Sequence, residues 1–466
     1  MSHLLARRLL CGVARPSFHT WTRTPTLNKQ AVRHLKSVAS KNATEATTSP
    51  VKPSDNVRSY MQPIVDIRHP NFITLPAQHL RRARNIEEPP LREKLSNFWL
   101  RDNCRCTECV NQDTMQKNFD TFSIPHDVRP VAAGIEGDNL VVTWDHENHR
   151  SVYPLDFICN YIFSHKPQSA FHSQVQWTAP DVQDNPPTVP FDEVMNPDSE
   201  EGIAKLTRLI QIYGFAFVSN TPVSPDETKI LLEHIGPIRN THYGGFYDFI
   251  PDLALADTAY TNLALPAHTD TTYFTEPAGL QAFHLLSHHP PPSAQSGAVA
   301  EGGKSLLVDG FKAAYILRKE DPHAFEILRK QAIPWHASGN KGIAIRPSQN
   351  FPVLETAPWR VRWNNDDRGV VPFGGESQDA DLENQELWYA AARKWNEIIK
   401  RKEMEYWVQL TPGNVLIFNN WRVLHGRSAF EGVRRICGGY INNDDFISRY
   451  RNTNFSREEV LRQVIG

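Results

Sequence analysis

The 466-residue sequence has no run of about 18 apolar residues, the length a helix needs to cross a bilayer. It has no excess charge of either sign. Fifty basic and 52 acidic residues leave a net charge of −2, which offers no bulk attraction to nucleic acid or to an anionic membrane surface. Cysteine is scarce: six in a chain of this length do not make a disulfide scaffold. No internal repeat is present, which excludes solenoids and propellers. Between Met1 and Thr44 there is no Asp or Glu at all.

That last absence coincides with a presence. The same stretch carries Arg7, Arg8, Arg15, Arg23, Lys29, Arg33, Lys36 and Lys41 among several Ser and Thr. A basic, acid-free, hydroxyl-rich start is the composition of a mitochondrial transit peptide. Residues 1–60 are therefore expected to be a transit peptide and disordered leader, and the protein to reside in the mitochondrial matrix. The 34 prolines point to many loops and edges, as in a β-rich fold.

Patterning begins near Asn97-Phe98-Trp99-Leu100 and continues through the alternating run Leu140-Val141-Val142-Thr143-Trp144. These define a small β-rich N-terminal domain over 61–165. A polar, Pro-rich stretch at 166–190 reads as a linker. From 191 to 466, helical spacing at 202–212 precedes strand-like runs at 214–218, 280–286, 305–308, 414–418 and 435–441. Helices are expected near 312–331 and 385–404. Short strands with a few flanking helices predict a mainly β domain, a double-stranded β-helix or jelly roll. The low-complexity insert 288–304, with Pro290-Pro291-Pro292, reads as a mobile surface loop.

Two clusters carry chemistry. In Ala267-His268-Thr269-Asp270, a strand would point residues i and i+2 to one face, so His268 and Asp270 can reach one metal. A third ligand appears in Asn420-Trp421-Arg422-Val423-Leu424-His425-Gly426-Arg427. Two His and one carboxylate on one octahedral face are the donor set of non-haem Fe(II) oxygenases. Arg434 and Arg435 follow His425 on a strand-like run, and a guanidinium pairs bidentately with a carboxylate such as the distal one of 2-oxoglutarate. His284 and His336 are weaker candidates, because no basic strand follows either. The second cluster is Cys104, Cys106 and Cys109, spaced C-x-C-x-x-C, which suits a structural Zn(II) needing one more ligand, His149 or His146.

Longer motifs carry a resemblance. The stretches Thr241-His242-Tyr243-Gly244-Gly245-Phe246-Tyr247-Asp248-Phe249, Asp257 to Pro266, Arg362-Trp363-Asn364-Asn365-Asp366-Asp367-Arg368, and Asn420 to Asp445 resemble the γ-butyrobetaine/trimethyllysine hydroxylase family of Fe(II)/2-oxoglutarate dioxygenases. The match is closer on the trimethyllysine side and covers roughly residues 90–466. The resemblance implies iron ligands His268, Asp270 and His425, and Arg434 as the 2-oxoglutarate anchor with Arg435 as the alternative. It favours His149 as the fourth zinc ligand. It implies an aromatic cage of Tyr243, Tyr247, Tyr260 and Tyr440 for a trimethylammonium group, which donates no hydrogen bond and is held by ring faces. Asp257 is then the candidate for an α-ammonium, and Asn364 or Asn365 for an α-carboxylate.

The implied activity is hydroxylation of N6,N6,N6-trimethyllysine at C3, the first step of carnitine biosynthesis, with succinate and CO2 released. Ascorbate dependence and a homodimer are implied in the same way. The alternative is γ-butyrobetaine hydroxylation on the same scaffold, and two further rivals are a catalytically dead zinc-bearing binding module and a dioxygenase for another small amine or sulfonate.

Overall fold

The computed structural model describes residues 65–76, 92–163, 173–250, 261–295, 297–356, 359–372 and 378–464. The expected leader lies outside them, as do Asp257 and Tyr260.

The first described segment pairs β1 (Phe72–Pro76) with β2 (Arg92–Ser96), which runs into helix α1 (Asn97–Asp102). A three-stranded antiparallel sheet follows, β3 (Pro130–Glu136), β4 (Asn139–Trp144) and β5 (Arg150–Pro154), with helix α2 (Leu155–Phe163) behind it. These elements share one core built on Leu100, Leu140, Val142, Trp144 and Tyr153. Alternation along β4 and β5 puts one side of each strand inward, as period-2 geometry requires.

The rest is built on two sheets. One has the order β6-β7-β15-β10-β17-β8, from β6 (Thr188–Pro190), β7 (Phe215–Ser219), β8 (Tyr247–Phe249), β10 (Leu280–His289), β15 (Val415–Asn419) and β17 (Val433–Ile441). The other has the order β14-β11-β16-β9, from β9 (Leu265–His268), β11 (Ser305–Asp309), β14 (Tyr406–Val408) and β16 (Val423–Arg427). A short hairpin, β12 (Leu354–Thr356) with β13 (Trp359–Val361), stands apart from both sheets.

The apolar runs show why both faces of the larger sheet are covered. Phe215, Phe217, Leu416, Phe418 and Ile436 meet Leu307, Tyr406 and Val423 of the smaller sheet. The alternate residues Ala216, Val218, Val415, Ile417 and Ile441 pack on α3 (Glu201–Tyr213), α4 (Pro225–Ile235) and a helix at Asn443–Asn454. A strand buried on both faces reads as an unbroken apolar run. On the outer face of the smaller sheet, Leu306, Val308 and Leu424 pack on α5 (Gly310–Glu320), α6 (Pro322–Lys330) and α7 (Gln378–Ile399). The expected single helix at 312–331 is two, divided where Asp321 caps the second helix just before Pro322.

One expectation is corrected. Residues 173–190, part of the 166–190 stretch read as linker from its prolines, pack into the part of the fold built on the two larger sheets. Trp177 is buried, with its indole N–H donating to the Tyr213 carbonyl at 2.6 Å, and β6 pairs in parallel with β7. Proline is tolerated there because β6 is an edge strand. The 288–304 insert is exposed over most of its described residues and is anchored at both ends: His288 and His289 pair with Arg434 and Val433, and the Gly303 N–H donates to the Ala429 carbonyl.

Candidate active site

His268 and His425 are directly paired across β9 and β16, with ring centroids 4.3 Å apart. β9 ends at His268, so strand alternation does not place Asp270. Asn420 does. Its side-chain oxygen accepts the Asp270 N–H at 2.8 Å, and its amide donates to the Asp270 carbonyl at 3.0 Å. The next residue, Thr271, sits in the left-handed region at φ 55°, and turns the chain away.

The carboxylate then faces two ways. Oδ1 lies 3.2 Å from His268 Nε2 and 3.8 Å from His425 Nε2. Oδ2 accepts from Gln281 Nε2 at 2.7 Å and from the Tyr440 hydroxyl at 2.8 Å. The Nδ1 of His268 is 2.8 Å from the Pro266 carbonyl; a proton there leaves Nε2 as a bare lone pair. Burial, and then the charge of His268, lowers the His425 imidazole to about 3, so it stays neutral. Burial alone would raise Asp270, but the two histidines and Tyr440 outweigh it and hold the carboxyl well below its usual range. Burial alone would lower His268, but Asp270 and the Pro266 carbonyl outweigh it and raise the imidazole, so a metal would take the place of its proton. Two imidazole nitrogens and one carboxylate oxygen, all within 4.8 Å of one another, fit a divalent ion of the Fe(II) type.

A cavity opens over this triad, walled by Tyr243, Tyr247, Tyr273, Phe283, Arg434 and Tyr440. Arg434 is buried and has no carboxylate partner among the described residues; burial, then the charge of Arg427, lowers it to about 10. Arg435 points out of the barrel into a salt bridge with Asp248. Tyr247 and Tyr440 meet edge to face with centroids 6.0 Å apart. The Tyr247 hydroxyl reaches the Ala282 carbonyl across Gly438, where a Cβ would lie 1.9 Å from that same oxygen.

Asn364 also lines the cavity, its oxygen accepting from the Asp366 N–H and its amide donating to Asp367. Asn365 is exposed and does not. His284 faces the opposite side of β10, between Thr228 and Gly413, and His336 bonds to Ser338. Sequence reasoning passed over Gln281, Tyr273, Asn420 and Arg427. Gln281 lies within an apolar strand, and Tyr273 within a threonine-rich stretch that has no periodic pattern. Arg427 donates to the Thr261 and Leu263 carbonyls at 2.6 and 2.9 Å, tying that loop to the cavity wall.

A second donor cluster lies in the N-terminal sheet. His149 Nε2 is 3.3, 3.6 and 3.4 Å from the sulfurs of Cys104, Cys106 and Cys109. The β4–β5 turn passes through Glu147 and Asn148, both left-handed, and so brings His149 rather than His146 to the cysteines. Burial, and then the charge of Cys104, pushes the Cys109 thiol up to about 12. Three thiolates this close need a cation, and Cys3His is compatible with tetrahedral Zn(II).

Comparison with known proteins agrees with this geometry. Residues 174–440 match the family model described as Taurine catabolism dioxygenase TauD, TfdA family, and residues 90–159 match Gamma-butyrobetaine hydroxylase-like, N-terminal. The chain belongs to the TauD/TfdA family and is a 2-oxoglutarate-dependent dioxygenase. Within that class it falls among the trimethyllysine dioxygenases. It is 55% identical over 404 residues to the Neurospora crassa protein of that name, covering 80% of this chain and 84% of the relative. It is 37% identical to the mitochondrial trimethyllysine dioxygenase of Gallus gallus and 36% to that of Homo sapiens, covering 76% of this chain in both cases and 82% and 81% of those relatives.

Proposed function

We propose that the protein hydroxylates N6,N6,N6-trimethyllysine at C3, the opening step of carnitine biosynthesis. The observation that carries the reading is one cavity holding three things: the His268–Asp270–His425 triad, the buried Arg434 with no carboxylate partner among the described residues, and a wall of tyrosine rings. The names of the related proteins support the substrate.

In this reading His268, Asp270 and His425 hold Fe(II), and Arg434 receives the distal carboxylate of 2-oxoglutarate in two parallel hydrogen bonds. When bound, iron and 2-oxoglutarate supply the O2 chemistry: one oxygen atom goes to succinate as CO2 leaves, and the other converts a substrate C–H into C–OH. The remaining work belongs to side chains. Tyr243, Tyr247 and Tyr440, with Tyr260, offer ring faces to the trimethylammonium group. Tyr440 offers only its ring, since its hydroxyl is bonded to Asp270, and burial keeps it protonated by raising its pKa. Asp257 takes the α-ammonium. Asn364 takes the α-carboxylate through whichever amide hydrogen Asp367 leaves available. Cys104, Cys106, Cys109 and His149 hold a structural Zn(II), which closes the site and gives it no catalytic position.

The proposal extends to a mitochondrial matrix location, supported by the basic leader and by mitochondrial relatives. It also extends to ascorbate support and a homodimer, which rest on the resemblance. The test is incubation of the purified protein with Fe(II), ascorbate and 2-oxoglutarate, offering trimethyllysine and γ-butyrobetaine separately and following succinate and product by mass spectrometry. Hydroxylation of trimethyllysine is the expected result. Turnover of γ-butyrobetaine alone refutes the substrate assignment, and turnover of neither refutes both substrates and leaves another small amine or the binding-module reading.

A further inference from the structure

Asp270 is held from more sides than a metal ligand on a strand end requires. Asn420 fixes its backbone on both sides of the peptide unit, and Asn420 is itself 1% exposed and anchored to the Ala278 carbonyl at 3.0 Å. The side chain is fixed separately. Gln281 and Tyr440 are directly opposite one another on β10 and β17, both on the face turned toward the cavity. Strand pairing therefore sets their spacing, and both end on the same atom, Asp270 Oδ2, at 2.7 and 2.8 Å. Hydrogen bonds to an ionised oxygen are the strong kind, and two of them saturate most of its acceptor capacity. The other oxygen, Oδ1, is the one turned toward the two imidazoles.

A carboxylate free to rotate about its last bond can chelate a metal through both oxygens. Doing so on a three-ligand face would consume a position that the chelating 2-oxo acid needs. We propose that Gln281 and Tyr440 are positioning residues that act as a pair, locking Asp270 into binding through Oδ1 alone and so reserving a coordination position for 2-oxoglutarate. The inference rests on the iron and 2-oxoglutarate reading above. It gives Tyr440 a task in addition to its ring face, and it gives Gln281 a first one. The Oε1 of Gln281 is buried without a partner among the described residues, as expected of an amide whose orientation is dictated by its N–H bond to Asp270.

The experiment compares full-length parent, Tyr440→Phe, Gln281→Met and the double variant, each loaded with Mn(II). Both substitutions keep volume and remove only the donor. Three readouts are taken: Mn(II) affinity from the resonance of free Mn(II), 2-oxoglutarate affinity of the Mn(II)-loaded protein by calorimetry, and melting temperature. Loss of outer-shell partners typically costs about 10–100-fold at a metal site. In the double variant 2-oxoglutarate affinity is expected to fall by at least about tenfold more than Mn(II) affinity does, with smaller differences in the single variants, while melting temperature stays near the parent's. A folded double variant that binds 2-oxoglutarate like the parent overturns the proposal. So does a parallel fall in all three readouts, which marks a merely structural role. A parent that binds Mn(II) but no 2-oxoglutarate refutes the underlying reading first, and this inference with it.

Discussion

Arg434 and Arg435 are neighbours on one strand and face opposite worlds. Arg434 is buried over the metal-ligand triad with no acidic partner among the described residues, whereas Arg435 is bonded outside the barrel to Asp248 at 2.9 and 2.5 Å. One residue of register separates a buried guanidinium that lines the cavity from a surface ion pair. Arg434→Met is expected to weaken 2-oxoglutarate binding by about 2–5 kcal/mol, the cost of stripping one partner from a buried charge pair. Arg435→Met is expected to change it by less than about 1 kcal/mol, as for surface pairs. Calorimetric titration of both variants with 2-oxoglutarate decides which arginine is the anchor.

Arg422, in the same motif as His425, has a structural task. It forms a bidentate pair with Asp309 at 3.1 and 2.7 Å, both side chains fully buried, and Asp309 also caps α5 and accepts the Trp177 N–H. Arg422→Met leaves a buried carboxylate uncompensated and is expected to destabilise the fold by about 3–5 kcal/mol. Chemical denaturation of the variant measures this, and a loss under about 1 kcal/mol, the size of a surface pair, would contradict it.

The ring face of Tyr247 is expected to matter for the trimethylated substrate and not for 2-oxoglutarate. Tyr247→Leu should raise the KM for trimethyllysine by the equivalent of about 0.5–2 kcal/mol, the range for a cation over an aromatic face. An unchanged KM removes Tyr247 from the cage.

The Cys3His cluster predicts one Zn(II) per chain by atomic emission. Because a structural metal's binding energy is folding energy, stripping it with a chelator should unfold residues 92–163 and abolish their amide protection. Protection that survives chelation would show that the Leu100–Trp144–Tyr153 core suffices without metal.

His284 gives a pH prediction. Its Nδ1 lies 2.6 Å from Thr228 Oγ1, whose proton goes to Ser224, and its Nε2 accepts the Gly413 N–H at 3.1 Å. Only the neutral ring satisfies both, and burial lowers its pKa from 6.5 to about 4. Below the unfolded value the unfolded chain binds the proton and the folded chain does not, so stability falls as pH drops from about 6.5 to about 4 and this contribution is then fully lost. The loss is about 3 kcal/mol at about 1.36 kcal/mol per pH unit. Denaturation at several pH values should show it in the parent and not in His284→Gln.

Much of the candidate site was legible in the sequence because its signals are local. His-x-Asp and C-x-C-x-x-C set candidate ligands close together along the chain, and a long motif surrounds His425. The helix at 201–213 and the strands at 215–219 and 415–419 were legible from apolar period alone. The proline-rich 173–190 segment was misjudged because composition reports turn chemistry and not burial, and Trp177 finds its pocket only once Tyr213 and Asp309 are in place.

What the sequence determined by itself was therefore the donor inventory: two histidines and a carboxylate, three cysteines, a pair of arginines and a set of tyrosines. Tertiary structure decided how they are used. Strand register chose the face of Arg434, the turn through Glu147 and Asn148 chose His149 over His146, and Asn420, 150 residues away in sequence, chose where Asp270 points. Such choices depend on contacts between distant segments, and no local pattern encodes a hydrogen bond between strands that meet only in the folded sheet.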